Sequence, residues 1–166
     1  MREADQVTPA QIERMKRLGM SAQIHTRPLI QGVLMHGVHR ERAWDMPPMR
    51  LVQDSGIPWG LGSDATAVTT SNPFYNLWFA VTGKMVGGHK VNRQTITREE
   101  ALIAHTRNNG YIVFQEGNLG SIQNGKYADL LVLDRDYLTV PADEIKDIKP
   151  LLTMIGGKVV HDAMPK

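Results

Sequence analysis

Cysteine is absent from this chain of 166 residues. That excludes disulfides and every metal site built on thiolate, and it suits a reducing compartment. Neither sign of charge prevails, since 19 Lys and Arg face 17 Asp and Glu. A dedicated nucleic-acid surface needs bases clustered on one face, so a nucleic-acid partner is not expected. No run of about 18 apolar residues occurs, so no membrane span is expected. The start, Met1-Arg2-Glu3-Ala4-Asp5, lacks the apolar segment of a secretory signal. A cytoplasmic protein follows as the expectation. Internal repeats and low-complexity tracts are also missing.

What is present is an ordinary globular composition, 42% apolar and 22% charged, with material enough for a core. Thr8, Pro9 and Gln11 form a capping-box start for a helix with Ile12, Met15 and Leu18 as its stripe and Gly19 as its stop. A short strand is expected over 20–24, ahead of His25-Thr26-Arg27-Pro28. Residues 29–46 read as less regular. Pro47-Pro48 opens a helix over 49–54, and Ser55-Gly56 closes it. A buried strand follows over 57–62, whose glycines suggest close backbone approach. Asn72-Pro73 starts a helix with Phe74, Leu77, Trp78, Val81 and Met85 on one face. Thr97 to Glu100 make a second capping box, with the helix stopping at Asn109-Gly110. Strands are expected over 128–133, 151–155 and 158–161, with a helical turn from Pro141 and a Gly156-Gly157 hairpin. The organisation is α/β over 1–115, then a small β unit over 116–166.

Gly62-Ser63-Asp64 ends the apolar strand and sets a carboxylate where it opens to solvent. Side chains at the C-terminal ends of barrel strands share one active-site mouth. A carboxylate there can ligate a metal or accept a proton. Gly-Ser-Asp is also common turn chemistry, and the local sequence by itself favours that turn reading over the catalytic one. His25 follows the expected strand and, on the local sequence, reads as a loop histidine. His36 and His39 have the i, i+3 spacing of metal ligands on a helix, or lie on a surface loop. His105 reads as structural or exposed. Trp59, Trp78 and the methionines at 15, 20, 35, 46, 49, 85 and 154 read as core. Arg93 and the Lys84–Lys90 region read as a solvated face.

The series Leu61-Gly62-Ser63-Asp64-Ala65, Asn72-Pro73-Phe74, Thr97-Arg98-Glu99-Glu100-Ala101-Leu102, Gly120-Ser121-Ile122 and Gly125-Lys126-Tyr127-Ala128-Asp129-Leu130 resembles the amidohydrolase superfamily. Its similarity is to family three, the N-acyl and N-formyl amide hydrolases. Asp134 to Pro141 and Gly156 to Val160 are similar to the same branch.

The resemblance implies the C-terminal part of a metal-dependent hydrolase TIM barrel, about its last two βα units, followed by part of a small β-sandwich. It implies hydrolysis of a non-peptide carbon–nitrogen amide bond by metal-activated water. Asp64 would be metal ligand and general base, zinc or another divalent ion the cofactor, and a small amide the substrate. A loop over 65–72 would shape the pocket, and His25 would meet the mouth either as a substrate contact or as a loop histidine without a ligand role. Lys126 and Asp129 would be structural.

Family members also need a His-x-His on the first strand, an acid or modified lysine on a middle strand, and histidines on the fifth and sixth. None of the early strands is in this sequence, and Glu3-Ala4-Asp5-Gln6 holds no histidine at the sixth-strand place. Asp64 by itself cannot hold zinc, which takes about three protein ligands. The chain is therefore expected to work with a missing N-terminal half or as a homo-oligomer. The alternative expectation is a catalytically inactive, truncated remnant serving as an oligomeric or interaction module.

Overall fold

Three short parallel strands, in the order β1-β2-β3, form the first sheet. The structure is a computed structural model that describes residues 2–3, 5–65 and 68–165. The expectation for the 65–72 loop lies partly outside these residues. Strand β1 (Arg2–Glu3) pairs with β2 (Ala22–His25), and β2 pairs with β3 (Trp59–Gly62). The sheet thus has one strand more than the two expected barrel strands. Between β1 and β2 runs α1 (Pro9–Arg17), capped by the expected box: Gln11 N–H donates to the Thr8 hydroxyl, and Gln11 Oε1 accepts from Thr8 N–H. Leu18 was expected in its apolar stripe but is the C-cap residue, 62% exposed, because the helix has already ended.

Residues 28–45 are more regular than their sequence suggests. Helix α2 (Pro28–His39) passes straight into a 3-10 turn, Arg40–Asp45. Glycine at 32 and 37 lowers intrinsic helix propensity, but packing overrides it at Gly32. A Cβ there would lie 2.8 Å from a Val91 methyl, so only glycine lets the helix settle against that loop. Helix α3 (Met49–Ser55) leads into β3, and α4 (Pro73–Thr82) follows the loop after β3, its first turn closed by Asn72 Oδ1 accepting from Phe74 N–H.

Helix α5 (Arg98–His105) begins at the expected Thr97–Glu100 capping box. It breaks at Thr106 rather than at Asn109-Gly110. Those two residues lie inside a second short helix, α6 (Arg107–Ile112). The Thr106 hydroxyl donates to the Leu102 carbonyl, turning the chain between the two helices.

The second sheet is antiparallel, in the order β4-β5-β6, from Leu130–Leu133, Pro150–Ile155 and Lys158–Asp162. Gly156 and Gly157 join the last two at φ 55° and 80°. Positive φ at both turn positions matches the twist of a hairpin, and glycine adopts it without steric penalty. The stretch from Gly120 to Gly125 is an irregular loop. Lys126 holds it, donating to the carbonyls of Glu116 and Leu119 and to the Ser121 hydroxyl. Asp129 Oδ1 accepts from Gly156 N–H, tying β4 to the hairpin turn.

One buried cluster joins both parts. Ile24, Trp59, Leu61 and Phe79 share it with Tyr137, Ile145 and Ile148. Trp59, Trp78 and the methionines at 15, 35, 46 and 49 are buried, while Met20 and Met85 are partly so. No helix among the described residues is long and apolar enough to cross a membrane.

Candidate functional site

Parallel pairing puts the C-terminal ends of β1, β2 and β3 on one rim, and each end carries an ionisable side chain. Asp5 lies two residues past β1, His25 is the last residue of β2, and Asp64 lies two past β3. His25 Nδ1 stands 4.0 Å from Asp64 Oδ2, with the two side chains 14% and 34% exposed. Arg27 Nε stands 3.7 Å from Asp5 Oδ2. Sequence reasoning singled out His25 and Asp64. Arg27 and Asp5 it passed over, because their pairing depends on β1 and β2 lying side by side.

Local backbone chemistry fixes these positions. The Thr26 amide donates to the Gly62 carbonyl, extending the β2–β3 ladder one step past His25. A Cβ at Gly62 would lie 2.9 Å from Gln23 Nε2 and 3.4 Å from His25 Cδ2, so glycine leaves room for both. Ser63 Oγ accepts from Ala65 N–H, and Asp64 itself turns at φ 51°. Aspartate tolerates this left-handed region better than most residues. Asp64 is thus both a turn residue and a strand-end carboxylate. The Thr26 side chain is fully buried and donates to Asn76 of α4, itself buried, whose amide nitrogen donates on to the Asn72 carbonyl.

The other histidines lie elsewhere. His36 Nε2 stands 2.9 Å from the Val91 carbonyl, so that nitrogen holds the proton, and the ring packs edge-on against Trp44. His39 closes the last turn of α2. His105 Nδ1 donates to the Leu61 carbonyl, which also accepts from Asn109 Nδ2. Burial pushes the His105 pKa down, partly offset by that hydrogen bond. Arg93, expected on a solvated face, is half exposed but ion-paired with Asp45 and Glu41. Asp45 is held below its ordinary pKa by hydrogen bonding to Arg93.

A carboxylate and an imidazole side by side are donor types that suit zinc. Their number falls short: among the described residues no three His, Asp or Glu converge to hold a metal ion.

The sequence profile of the amidohydrolase family matches residues 1–161. The chain belongs to that family. A curated N-substituted formamide deformylase of Arthrobacter pascens is 33% identical over 116 residues, covering 69% of this chain and 21% of the relative. An imidazolonepropionase of Syntrophobacter fumaroxidans is 36% identical over 90 residues, covering 52% and 19%. The amidohydrolase chain described here therefore spans about a fifth of the length of these relatives. Among solved structures, an atrazine chlorohydrolase of Arthrobacter aurescens complexed with zinc superimposes with a TM-score of 0.70 at 21% identity, covering 97% of this chain and 35% of that one. An uncharacterised metal-dependent hydrolase of Pyrococcus furiosus gives 0.68 at 24% identity, covering 82% and 28%. These two likenesses concern the fold: the mixed α/β arrangement is that of amidohydrolase-like hydrolases.

Proposed function

We infer that this amidohydrolase chain carries the Asp64 side of a metal-dependent active site that hydrolyses a non-peptide carbon–nitrogen amide bond. The observation that carries the reading is the meeting of Asp64 and His25 at the ends of neighbouring parallel strands. The parallel strands and their helices stand as the last βα units of a TIM barrel, and the β4-β5-β6 sheet as part of the flanking β-sandwich. The homology to an N-substituted formamide deformylase supports a small amide as substrate.

Asp64 is the metal ligand and general base that this chain contributes. A divalent ion, zinc by likeness to the zinc-complexed hydrolase, supplies Lewis acidity and a bound water of lowered pKa when present. Asp64 would take onto its carboxylate the proton that the attacking water gives up, and the neighbouring imidazole of His25 would contact the substrate. The remaining ligands come from residues outside this sequence, in a further segment or another chain. A small-molecule substrate and a homo-oligomer are the partners this reading calls for, and the cytoplasm is its place.

A second reading, an inactive oligomeric or interaction module, draws on the exposed apolar side chains Val33, Leu34 and Val38 of α2, with Phe114 and Ile122. One experiment separates the two. Zinc content by elemental analysis and hydrolysis of an N-substituted formamide are measured on the whole assembly, with the segment or chain that supplies the other ligands, and on its Asp64→Asn variant. Bound zinc and hydrolysis, both lost in the variant, support the hydrolase. Hydrolysis that survives in Asp64→Asn sinks the role of Asp64, and neither metal nor hydrolysis in the parent protein favours the module.

A further inference from the structure

We propose that α5 and α6 together form a plug on the open edge of β3, where their side chains hold the place that a further strand would take. The plug keeps this edge from pairing with a second copy of the chain. Among the described residues β3 ends its sheet, with β2 on one side and no strand on the other. An uncovered edge of this kind is a template for pairing with other chains.

Backbone alternation identifies the group that the plug covers. The Pro58 and Gly62 carbonyls accept from the Ala22 and Thr26 amides, so these positions face β2. Carbonyls alternate in direction along a strand, which turns that of Leu61 to the opposite side. Side chains meet it there: His105 Nδ1 and Asn109 Nδ2 both donate to it, each at 2.9 Å. A carbonyl oxygen has two lone pairs, so its acceptor capacity is filled. The second proton of the Asn109 amide goes to the His105 carbonyl at 3.1 Å and ties the two halves of the plug together.

The surrounding chain fits α5 and α6 to this edge. The turn at Thr106 lets His105, the last residue of α5, and Asn109 of α6 reach one oxygen. A Cβ at Gly60 would run into Asn109 Oδ1 and lie 2.9 Å from Ile112 Cδ1, so only glycine lets α6 come this close to the strand. From outside, the Leu119 carbonyl lies 3.2 Å from where a Gly110 Cβ would be, and Lys126 holds that carbonyl in place. Asp64 lies three positions beyond Leu61. A strand that adds to this edge, beside the candidate site, does so only after α5 and α6 have moved away. An oligomer that forms with the plug in place uses another face.

The test reads where copies of the protein pair. The double variant His105→Ala, Asn109→Ala removes both donors, while His105→Gln keeps one at its place. Sedimentation velocity over a concentration series gives the strength of association, and amide exchange followed by NMR gives its location. The double variant should associate at least about 10-fold more strongly than the parent, the worth of roughly one hydrogen bond. Its Trp59 and Leu61 amides, turned to the same edge by the alternation, should gain protection as concentration rises. His105→Gln should behave as the parent. A folded double variant that associates no more than the parent would overturn the plug, as would protection gained on β4 or β6 instead. Should the double variant not fold by circular dichroism, Asn109→Ala alone is read by the same outcomes. Nitrogen NMR spectra of the parent give a separate check: the His105 proton belongs on Nδ1, and a proton on Nε2 would also overturn the plug.

Discussion

The Thr26 hydroxyl donates to Oδ1 of Asn76, fifty positions further along the chain, and the two side chains are 0% and 1% exposed. This bond ties the end of β2, which carries His25, to the first turns of α4, which close the loop that follows Asp64. Thr26→Val keeps the shape of the side chain and leaves a buried amide oxygen without its donor. That should cost about 1–3 kcal/mol, whereas Thr26→Ser, which keeps the hydroxyl, should cost less. Urea unfolding of the three proteins checks this. The Val variant should shift the midpoint down with an unchanged slope, and equal midpoints for Val and Ser would show that the hydroxyl contributes nothing.

Asp64 combines a chemical role with a conformational one, and substitutions can part them. At φ 51° a β-branched side chain meets its own backbone, while asparagine and glycine do not. Asp64→Asn and Asp64→Gly should stay close to the parent in stability. Asp64→Val should lose about 1–2 kcal/mol through the left-handed backbone alone. Thermal midpoints of the three variants decide it, and a Val variant as stable as the Asn variant would mean the loop relaxes freely.

How much of this could be read in the sequence depends on how local each signal is. Both capping boxes, Thr8 with Gln11 and Thr97 with Glu100, lie within one turn and match the expected helix starts. The Gly156-Gly157 hairpin is likewise a two-residue signal. Helix α2 was missed because its glycines argue against a helix, while the contact that justifies Gly32 comes from Val91, far along the chain. The break at Thr106 was missed for a related reason, since Asn109-Gly110 is a stop signal in isolation but sits inside α6, with Gly110 packed near the Leu119 carbonyl. In the candidate site, Asp64 and His25 were each legible as strand-end residues. Their mutual approach and the buried Thr26–Asn76 support depend on the pairing of β2 with β3, which no short motif encodes.

Glu100 does two jobs that a single pair of variants separates. Its carboxylate accepts from Thr97 N–H at the start of α5 and from Arg50 of α3, the latter at 2.6 Å. Hydrogen bonding from Arg50 is the main reason its pKa lies below the ordinary carboxylate value. Glu100→Gln keeps a capping partner and loses the charge, with an expected cost under about 1 kcal/mol. Glu100→Ala loses both and should cost about 1 kcal/mol more. Because the folded pKa is lowered, the stabilisation is present above the unfolded pKa and is lost as pH falls through the folded one. Unfolding midpoints measured down an acid series should converge for parent and Glu100→Gln. A gap that stays constant with pH would mean the ion pair does not stabilise the fold.

His105 gives the opposite kind of titration, from burial rather than pairing. Its Nδ1–H donates to the Leu61 carbonyl of β3, and burial is the larger influence, holding its pKa below the ordinary histidine value. The folded protein therefore keeps this ring neutral where the unfolded chain, near pH 6.5, takes up a proton. Unfolding then binds a proton, so stability is greatest above the unfolded pKa and falls as pH drops below it, until the folded ring itself titrates. His105→Gln retains a donor for the Leu61 carbonyl and has nothing to titrate. Urea midpoints between pH 8 and pH 5 should decline more steeply for the parent than for the variant, the difference opening below about pH 6.5. If the two curves run parallel throughout, the ring is as free to accept a proton in the fold as out of it.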